Sequence, residues 1–458
     1  MSKLNVSAVS GTRDYLPIDI ARRKWVFSKI EETYQKFGFQ PLETPVMERL
    51  EILQGHYGDD EKLIFKVLKR GDKLQEQLKP GTALLEEDLA DFGLRYDLTV
   101  PLARVVACHR QLLPRVFKRY QIAPVFRAER PAAGRLREFY QCDVDIVGSD
   151  SLVCEVELIQ AAIESLQALG FNCQKDVRVK LNHRSLLTAI MESADIPESL
   201  QVPCLITLDK LDKIGMDGVR KELQARGISV AAIDKTFLIL QTLQVDELSQ
   251  VLKVLTQNLK SSPAQAKACA DLETFATIVK DHPLLEQIRF DPTLARGLGY
   301  YTGCIFEIEI NGFPSSCGGG GRYDNLIGQF LGEPITAVGI SLGVERLLLV
   351  MEEKKMFPPD VRPGAQVMIA LFDLEGIGPS LNLANSLRRE GLRCDVFPET
   401  QKLAKQFKHA EKQGIPYVVM AGPDERAKGL WNLKDLSNGV QESLAEQDLI
   451  QRLQVGRV

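Results

Sequence analysis

The 458-residue chain lacks the features that would place it in a membrane or outside the cell. No run approaches the ~20 continuous apolar residues of a membrane span, and the start, Met1 to Ser7, carries no apolar signal region. The nine cysteines are odd in number, scattered and never spaced Cys-x-x-Cys, which argues against a disulfide framework and against a zinc site. The five histidines show no ligand spacing such as His-x-x-x-His, so neither a metal site nor histidine-based catalysis is expected. No Gly-x-x-x-x-Gly-Lys-Ser/Thr loop is present, so a nucleotide triphosphate would have to be held by side chains. Neither charge sign dominates: 57 basic against 61 acidic residues leave a net charge of -4. Contact with nucleic acid must then come from local patches. A soluble, cytoplasmic protein of two or three domains is expected, at ~150 residues per domain.

Helical spacing of Val26, Ile30, Tyr34 and Phe37 predicts a helix over about 21–37, closed by Gly38 as a left-handed cap. A second is predicted after Ser151, where Leu152, Val156, Ile159, Ile163 and Leu166 step by four and three until Gly170. Between them, residues 94–147 mix short apolar runs with prolines and read as antiparallel strands and loops. From Ile228 to Arg296 there is no glycine, and leucine-rich periodic segments fill the space, which predicts a helical insertion over 184–285. Residues 296–343 then hold 12 of the 34 glycines, so a backbone-lined site or a set of tight turns is expected there. Past a proline-rich connection, Phe357 to Gly364, β-rich runs at 366–371, 393–397 and 416–421 alternate with helical segments near 379–390 and 401–413. That βαβαβ rhythm predicts a small parallel sheet with covering helices. The expected domains are 1–183 with 286–357, the insertion 184–285, and 362–458.

The strongest charge anomaly is residues 101–140, where nine basic side chains face only Glu129 and Glu138. An isolated basic run is usually a solvated face. Here arginines alternate with apolar strand residues in Val125 to Pro131 and Arg135 to Gln141, a pattern suited to bidentate recognition of a polyphosphate. Asp143 and Asp145 follow two residues apart and so share one strand face. Cys317 to Asp324, with four consecutive glycines, lets a ligand lie on backbone, or is a flexible loop.

Six ordered segments resemble the histidyl-tRNA synthetase family of class II synthetases. They are GTRDYLP (Gly11–Pro17), LRYDLTVPLAR (Leu94–Arg104), FRAERPAAGRLREFYQCDVDIVG (Phe126–Gly148), RGLGYYTG (Arg296–Gly303), CGGGGRYDNLIG (Cys317–Gly328) and GISLGVERL (Gly339–Leu347). The string QCDVD, Gln141–Asp145, is more similar to the eukaryotic-type branch. The resemblance implies an α+β fold: a six-stranded antiparallel sheet flanked by helices, a helical insertion and a C-terminal α/β anticodon-binding domain. It implies a homodimer through about Arg22 to Leu53, and a histidine–tRNA ligase that forms histidyl-adenylate from ATP and transfers it to tRNA.

Carried over by position, Arg127 would hold the α-phosphate, Arg135 the γ-phosphate and Glu129 the adenine amino group. Phe139 would stack on the ring opposite Arg346. Asp97, Thr99 and Gln141 would hold the α-amino group of L-histidine. Asp145 and Tyr301 would bond the two imidazole nitrogens, with Tyr300 lining the pocket, and Arg296 would help activate the carboxylate. Catalysis would rest on Arg127 and Arg296. ATP enters as a substrate with Mg2+, and no tightly bound cofactor or membrane partner is implied. The sequence departs from the family at Gly299, where an acidic residue or Asn is usual, and so lacks a side chain that would support Arg296 and Tyr300.

Lys402, Lys405, Lys408 and Lys412 step along one helix face. A solvated face is the ordinary reading; an RNA-facing stripe is favoured by the net +1 of residues 362–458 against -5 elsewhere. The rival functions are a non-catalytic, histidine-sensing regulatory subunit of ATP phosphoribosyltransferase, a prolyl or threonyl synthetase, and a tRNA-binding module without catalysis. The first typically loses ATP-binding arginines and the C-terminal domain, both present here.

Overall fold

Strands that alternate core and site-facing residues build the larger of two units. The structure, a computed structural model, describes residues 4–78, 85–132, 134–245, 248–295 and 300–455. The chain divides into residues 1–14 with 23–357, and residues 15–22 with 358–458. In the first unit the main sheet has β1 (Gln40–Pro41), β2 (Phe117–Phe126), β3 (Glu138–Val147), β4 (Val177–His183), β5 (Ile288–Phe290), β6 (Cys304–Ile310), β7 (Gly318–Arg322) and β8 (Ala337–Gly343). Their order is β1-β2-β3-β8-β7-β6-β4-β5. The six inner strands are antiparallel, as the resemblance implies, and two short edge strands add parallel pairs, β1 on β2 and β5 on β4. Pro41 sits in β1, where an edge position tolerates its missing N–H.

The stretch 94–147 is not all strands and loops: Thr99–His109 is a helix that buries Val100, Leu102, Ala103, Val105 and Val106. Pro101 did not prevent it, because its missing N–H falls in the first turn, where that donor has no helical partner. The helices expected over about 21–37 and after Ser151 are Pro17–Lys36, which starts four residues earlier, and Val153–Ala168, with Gly38 and Gly170 at positive φ behind them. Residues 184–279 form six helical segments, Arg184–Ser193 to Pro263–Val279, and the apolar core runs without a break from the sheet into them. His183 stitches the junction. Its Nδ1 accepts from the Ser185 N–H at 3.2 Å, and its Nε2 lies 3.0 Å from Asp271 of the last helix.

The glycine run Gly318–Gly321 is not a loop but part of β7, buried between β6 and β8. Side chains would not fit. A Cβ on Gly320 would come 1.9 Å from the Gly339 carbonyl oxygen, and one on Gly339 would come 1.9 Å from Asp145 Oδ1. Arg322, at the end of β7, makes a two-pronged ion pair with buried Glu155 of helix Val153–Ala168, at 2.6 and 2.8 Å.

In the second unit, β9 (Val367–Ile369), β10 (Cys394–Val396) and β11 (Tyr417–Met420) are parallel and joined by helices Ile377–Arg389 and Leu403–Lys412. The sheet is mixed, not wholly parallel, because an antiparallel hairpin, β12 (Leu430–Asp435) and β13 (Gln441–Ala445), extends the order to β10-β9-β11-β12-β13. Helix Glu446–Val455 follows it.

Gly320→Ala is expected to destabilise the first unit by about 1–3 kcal/mol or more, because only a backbone shift can relieve the contact. Gly378→Ala, which meets no atom within 4 Å, is expected to be neutral or stabilising. Thermal unfolding of both variants tests the pair.

Candidate functional site

Strands β3, β7 and β8 and the turn between β2 and β3 converge on a cavity of about 290 Å³. Its walls include Arg127, Glu129, Arg135, Phe139 and Arg346, all five side chains expected to meet ATP, together with Gln141. Backbone from Ser316 to Gly319 forms part of the lining, so the glycine strand exposes main chain to the cavity. Arg127 is held before any ligand arrives. Its guanidinium stacks 4.3 Å from the Tyr96 ring centroid and 5.1 Å from that of Phe139, and its Nε donates to the Tyr96 carbonyl at 3.1 Å. Phe139 therefore already has a cation near its ring.

Arg135 and Glu129 meet each other at 3.3 Å across the turn, in a pair that is partly exposed and so cheap to exchange for a ligand. The turn is anchored from outside. Arg137 donates to the Glu129 carbonyl at 3.0 Å and to the Ser10 carbonyl at 3.1 Å, and its own N–H reaches the Gly11 carbonyl at 2.7 Å. Gly11 has φ of +86°, and a Cβ there would press on Arg137 Cγ at 2.7 Å, which gives the N-terminal glycine a specific task. Arg346 donates to the Ser316 carbonyl. Glu345, beside it in the cavity wall, accepts from Arg23 and from the Tyr140 N–H, both at 3.3 Å.

Much of the basic stretch 101–140 serves elsewhere. Arg104 grips Glu48 at 2.8 Å, Arg110 pairs with Glu333 at 3.0 Å, and Lys118 pairs with Glu157 at 3.0 Å. Arg119 is fully buried against Asp145. Of the basic side chains of this stretch, Arg127 and Arg135 line the cavity among the described residues.

Deeper lies a polar cluster with unsatisfied atoms. Asp97 is buried, and its Oδ1 accepts from Tyr57 Oη at 3.1 Å, from the Thr99 N–H at 3.1 Å and from the Val100 N–H at 3.0 Å. That carboxylate seats the first turn of helix Thr99–His109, while its Oδ2 has no partner among the described residues. Gln141 donates to Ser341 Oγ at 2.9 Å, and its Oε1 is likewise unsatisfied. Asp145 accepts a hydrogen bond from Tyr323 Oη at Oδ1 and lies 2.7 Å from Arg119 Nη2 at Oδ2. Tyr300 and Tyr301 pack edge to face at 4.9 Å, and Tyr300 meets Tyr323 at 6.0 Å. Buried polar atoms without partners are rare in proteins, and several in one cluster mark a place that water or a ligand satisfies. Arg296 and Gly299 lie outside the described residues.

Burial raises the carboxyl of Asp97 above its ordinary range. It raises Asp143 to about 7, with Arg119 pulling it back and Asp145 pushing it further up. The sequence-level reading missed Arg119, Tyr323, Tyr57 and Glu345. In the second unit, Lys402, Lys405, Lys408 and Lys412 are all exposed, with no carboxylate within 4 Å among the described residues. Lys402 precedes helix Leu403–Lys412 as its N-cap, and the other three lie on it.

Residues 11–347 match the family described as histidyl-tRNA synthetase, and residues 375–455 match the anticodon binding domain. A histidine–tRNA ligase from Porphyromonas gingivalis is 41% identical over 445 residues, covering 96% of each chain. The crystal structure of histidyl-tRNA synthetase from Nostoc sp. superposes with a TM-score of 0.80 at 32% identity, covering 99% of both chains. A Bacillus halodurans structure described as an ATP phosphoribosyltransferase regulatory subunit/histidyl-tRNA synthetase has a TM-score of 0.68 at 20% identity, covering 89% of this chain and 97% of that one. That last likeness is one of fold alone.

The raised carboxyl of Asp143 makes a prediction about stability. Between the ordinary carboxylate range and about pH 7 the folded state holds a proton that the unfolded state has lost, so Asp143 costs stability as pH rises through that window. Asp143→Asn removes the titration. Its unfolding midpoint relative to the parent is expected to improve from pH 5 to pH 8, as read by urea denaturation. An unchanging difference would contradict the assignment.

Proposed function

The chain belongs to the histidyl-tRNA synthetase family and is a histidine–tRNA ligase, an ATP-dependent enzyme, and from that premise we propose how its residues divide the reaction. The observation that supports the division is one cavity bearing all five ATP-assigned side chains together with Gln141, whose Oε1 is buried and unsatisfied.

ATP, arriving with Mg2+, takes the cavity, with its adenine between Phe139 and Arg346 and its amino group donating to Glu129. Arg135 leaves Glu129 to take the γ-phosphate. Asp97 Oδ2 and Gln141 Oε1 accept from the α-ammonium of histidine, with Thr99 beside them. Asp145 and Tyr301 read the imidazole, and Tyr300 closes the pocket. A carboxylate oxygen of histidine attacks the α-phosphorus, a new C–O–P linkage forms, and the bond to the leaving pyrophosphate breaks. Arg127, already fixed between two rings, stabilises the charge that develops on the α-phosphate oxygens, and Arg296 assists it. A terminal ribose hydroxyl of the tRNA then attacks the acyl carbon and AMP leaves. Neither step needs an enzymatic nucleophile, so positioning and electrostatics carry the rate.

The exposed lysine stripe is proposed to face the tRNA. A homodimer is proposed through about Arg22 to Leu53, a region that leaves Met47 exposed. Cytoplasmic placement fits nine cysteines that are all unpaired, and no described helix is long and apolar enough to cross a membrane.

ATP–pyrophosphate exchange run with each of the twenty amino acids is expected to proceed with histidine alone and without tRNA. No exchange would favour the histidine-sensing regulator instead. Arg127→Ala is expected to lower that exchange by ~10²-fold or more; full activity would remove Arg127 from the phosphate site.

Replacing Lys402, Lys405, Lys408 and Lys412 together by Gln should leave exchange unchanged but weaken tRNA binding. The slope of log affinity against log salt should also become shallower, by roughly 0.7–0.9 for each phosphate that the lysines no longer neutralise. Filter binding with the same slope in both proteins would return the lysines to a solvated face.

A further inference from the structure

The polar cluster of the histidine site sets one buried guanidinium against three buried carboxylates. Arg119 has no exposed surface, and its Nη2 lies 2.7 Å from Asp145 Oδ2 and donates to the Leu98 carbonyl at 3.2 Å. Its Nε and Nη1 find no acceptor among the described residues. Tyr323 Oη donates its only hydrogen bond to the other oxygen of Asp145. The remaining charged or titratable groups that act on this pair are Asp143 on the same strand, Asp97 ahead of helix Thr99–His109, and Tyr34 of helix Pro17–Lys36. Tyr57 faces Asp97. The roles assigned above use none of Arg119.

We propose that Arg119, acting through Asp145, makes this enzyme bind histidine with its imidazole ring neutral. The inference rests on the reading in which Asp145 faces the imidazole. A lone buried carboxylate beside an imidazole would stabilise the imidazolium form and draw a proton onto the ring. A carboxylate already paired with a guanidinium at 2.7 Å has little net field left to do so, and a second cation would meet the charge of Arg119. Hydrogen-bond counting points the same way. A neutral imidazole carries one donor and one acceptor, whereas the imidazolium carries two donors and no acceptor. The cluster has acceptors in Asp145, whose Oδ2 is in ion-pair contact with Arg119 but hydrogen-bonded to no described residue, and in the Tyr323 oxygen, and spare donors in Nε and Nη1 of Arg119. A neutral ring can satisfy both kinds of group; a protonated ring leaves the spare donors without an acceptor, at a cost. Arg119 is therefore a specificity-determining residue that works on the protonation state of the substrate.

The test uses the full-length enzyme and compares histidine with an alanine bearing a 1,2,4-triazole ring, which stays uncharged over the range studied. KM for each is measured by ATP–pyrophosphate exchange at pH 7.5 and 5.5, with the inhibition constant used if the analogue is not turned over. Taking the ratio of the two cancels ionisations of the enzyme, that of Asp143 included. With an imidazole pKa of about 6.5, the neutral fraction falls about tenfold over this range. The ratio of histidine KM to analogue KM is expected to rise about tenfold in the parent enzyme. It should stay flat or fall in Arg119→Met, and the rise should return in Arg119→Lys. If Arg119→Met does not fold, Arg119→Gln, which keeps donors but not charge, takes its place. A flat ratio in the parent, or the same rise in the uncharged variant, would overturn the proposal. Asp145→Asn separates the premise from the inference: if it weakened histidine and ATP equally, Asp145 would not be reading the ring at all.

Discussion

Arg119 and Asp145 sit directly opposite each other across β2 and β3, both removed from water, and the polar half of the site is arranged around that pair. Burying a charge costs several kcal/mol even after relaxation, and an ion pair in the interior rarely recovers the whole of it. Such a pair is therefore a weak source of stability. Here it is held by the sheet that surrounds it. Gly339 on β8 has no side chain to fill the space that Asp145 Oδ1 occupies, and Gly320 on β7 lets β8 approach closely enough for that geometry to exist. Tyr323, one residue past β7, then delivers its hydroxyl to the same carboxylate. The glycines thus act on the site through packing rather than through flexibility.

How much of this was legible in the sequence depended on whether the signal was local. The helices Pro17–Lys36 and Val153–Ala168 carry their own periodicity and their own glycine stops. The helix Thr99–His109 was hidden by a proline that happens to fall where prolines are harmless. Strand β7 could not show itself, because a run of glycines has no alternation to read. The hairpin β12–β13 did leave a signal, Asn438-Gly439 with Gly439 at positive φ, which a closer reading of the turn chemistry would have caught.

The site divided in the same way. Residues that recur in motifs could be named by position, and six of them do meet in one cavity. Arg119 could not be told from Arg115 or Lys118, its neighbours in the same basic stretch, because the register that sets it opposite Asp145 is a property of the folded sheet. Charge counting also overreached: a local excess of cations was read as one phosphate clamp, while Arg104, Arg110 and Lys118 each meet a carboxylate from a distant part of the chain. Net charge over a window of sequence does not identify partners that folding brings in from elsewhere.

The cations of the cavity differ in a way that matters for how the reaction is organised. Arg127 is clamped between Tyr96 and Phe139 and bonded to main chain, so it has little freedom left to lose when a phosphate arrives. Arg135 is partly exposed and paired with Glu129, a partner it can give up. Electrostatic stabilisation of a transition state is most effective from groups that need no reorganisation at the moment of reaction. A terminal phosphate, in contrast, has to be captured and later released as pyrophosphate, which suits a cation on a turn whose existing pair is weak. On the proposed division of the reaction, the rigid arginine serves where charge develops and the exchangeable one where the ligand enters and leaves. The buried arginine, Arg119, touches neither and governs the ring of the amino acid instead, so three guanidiniums of one basic stretch are separated in function by how completely the fold has fixed each of them.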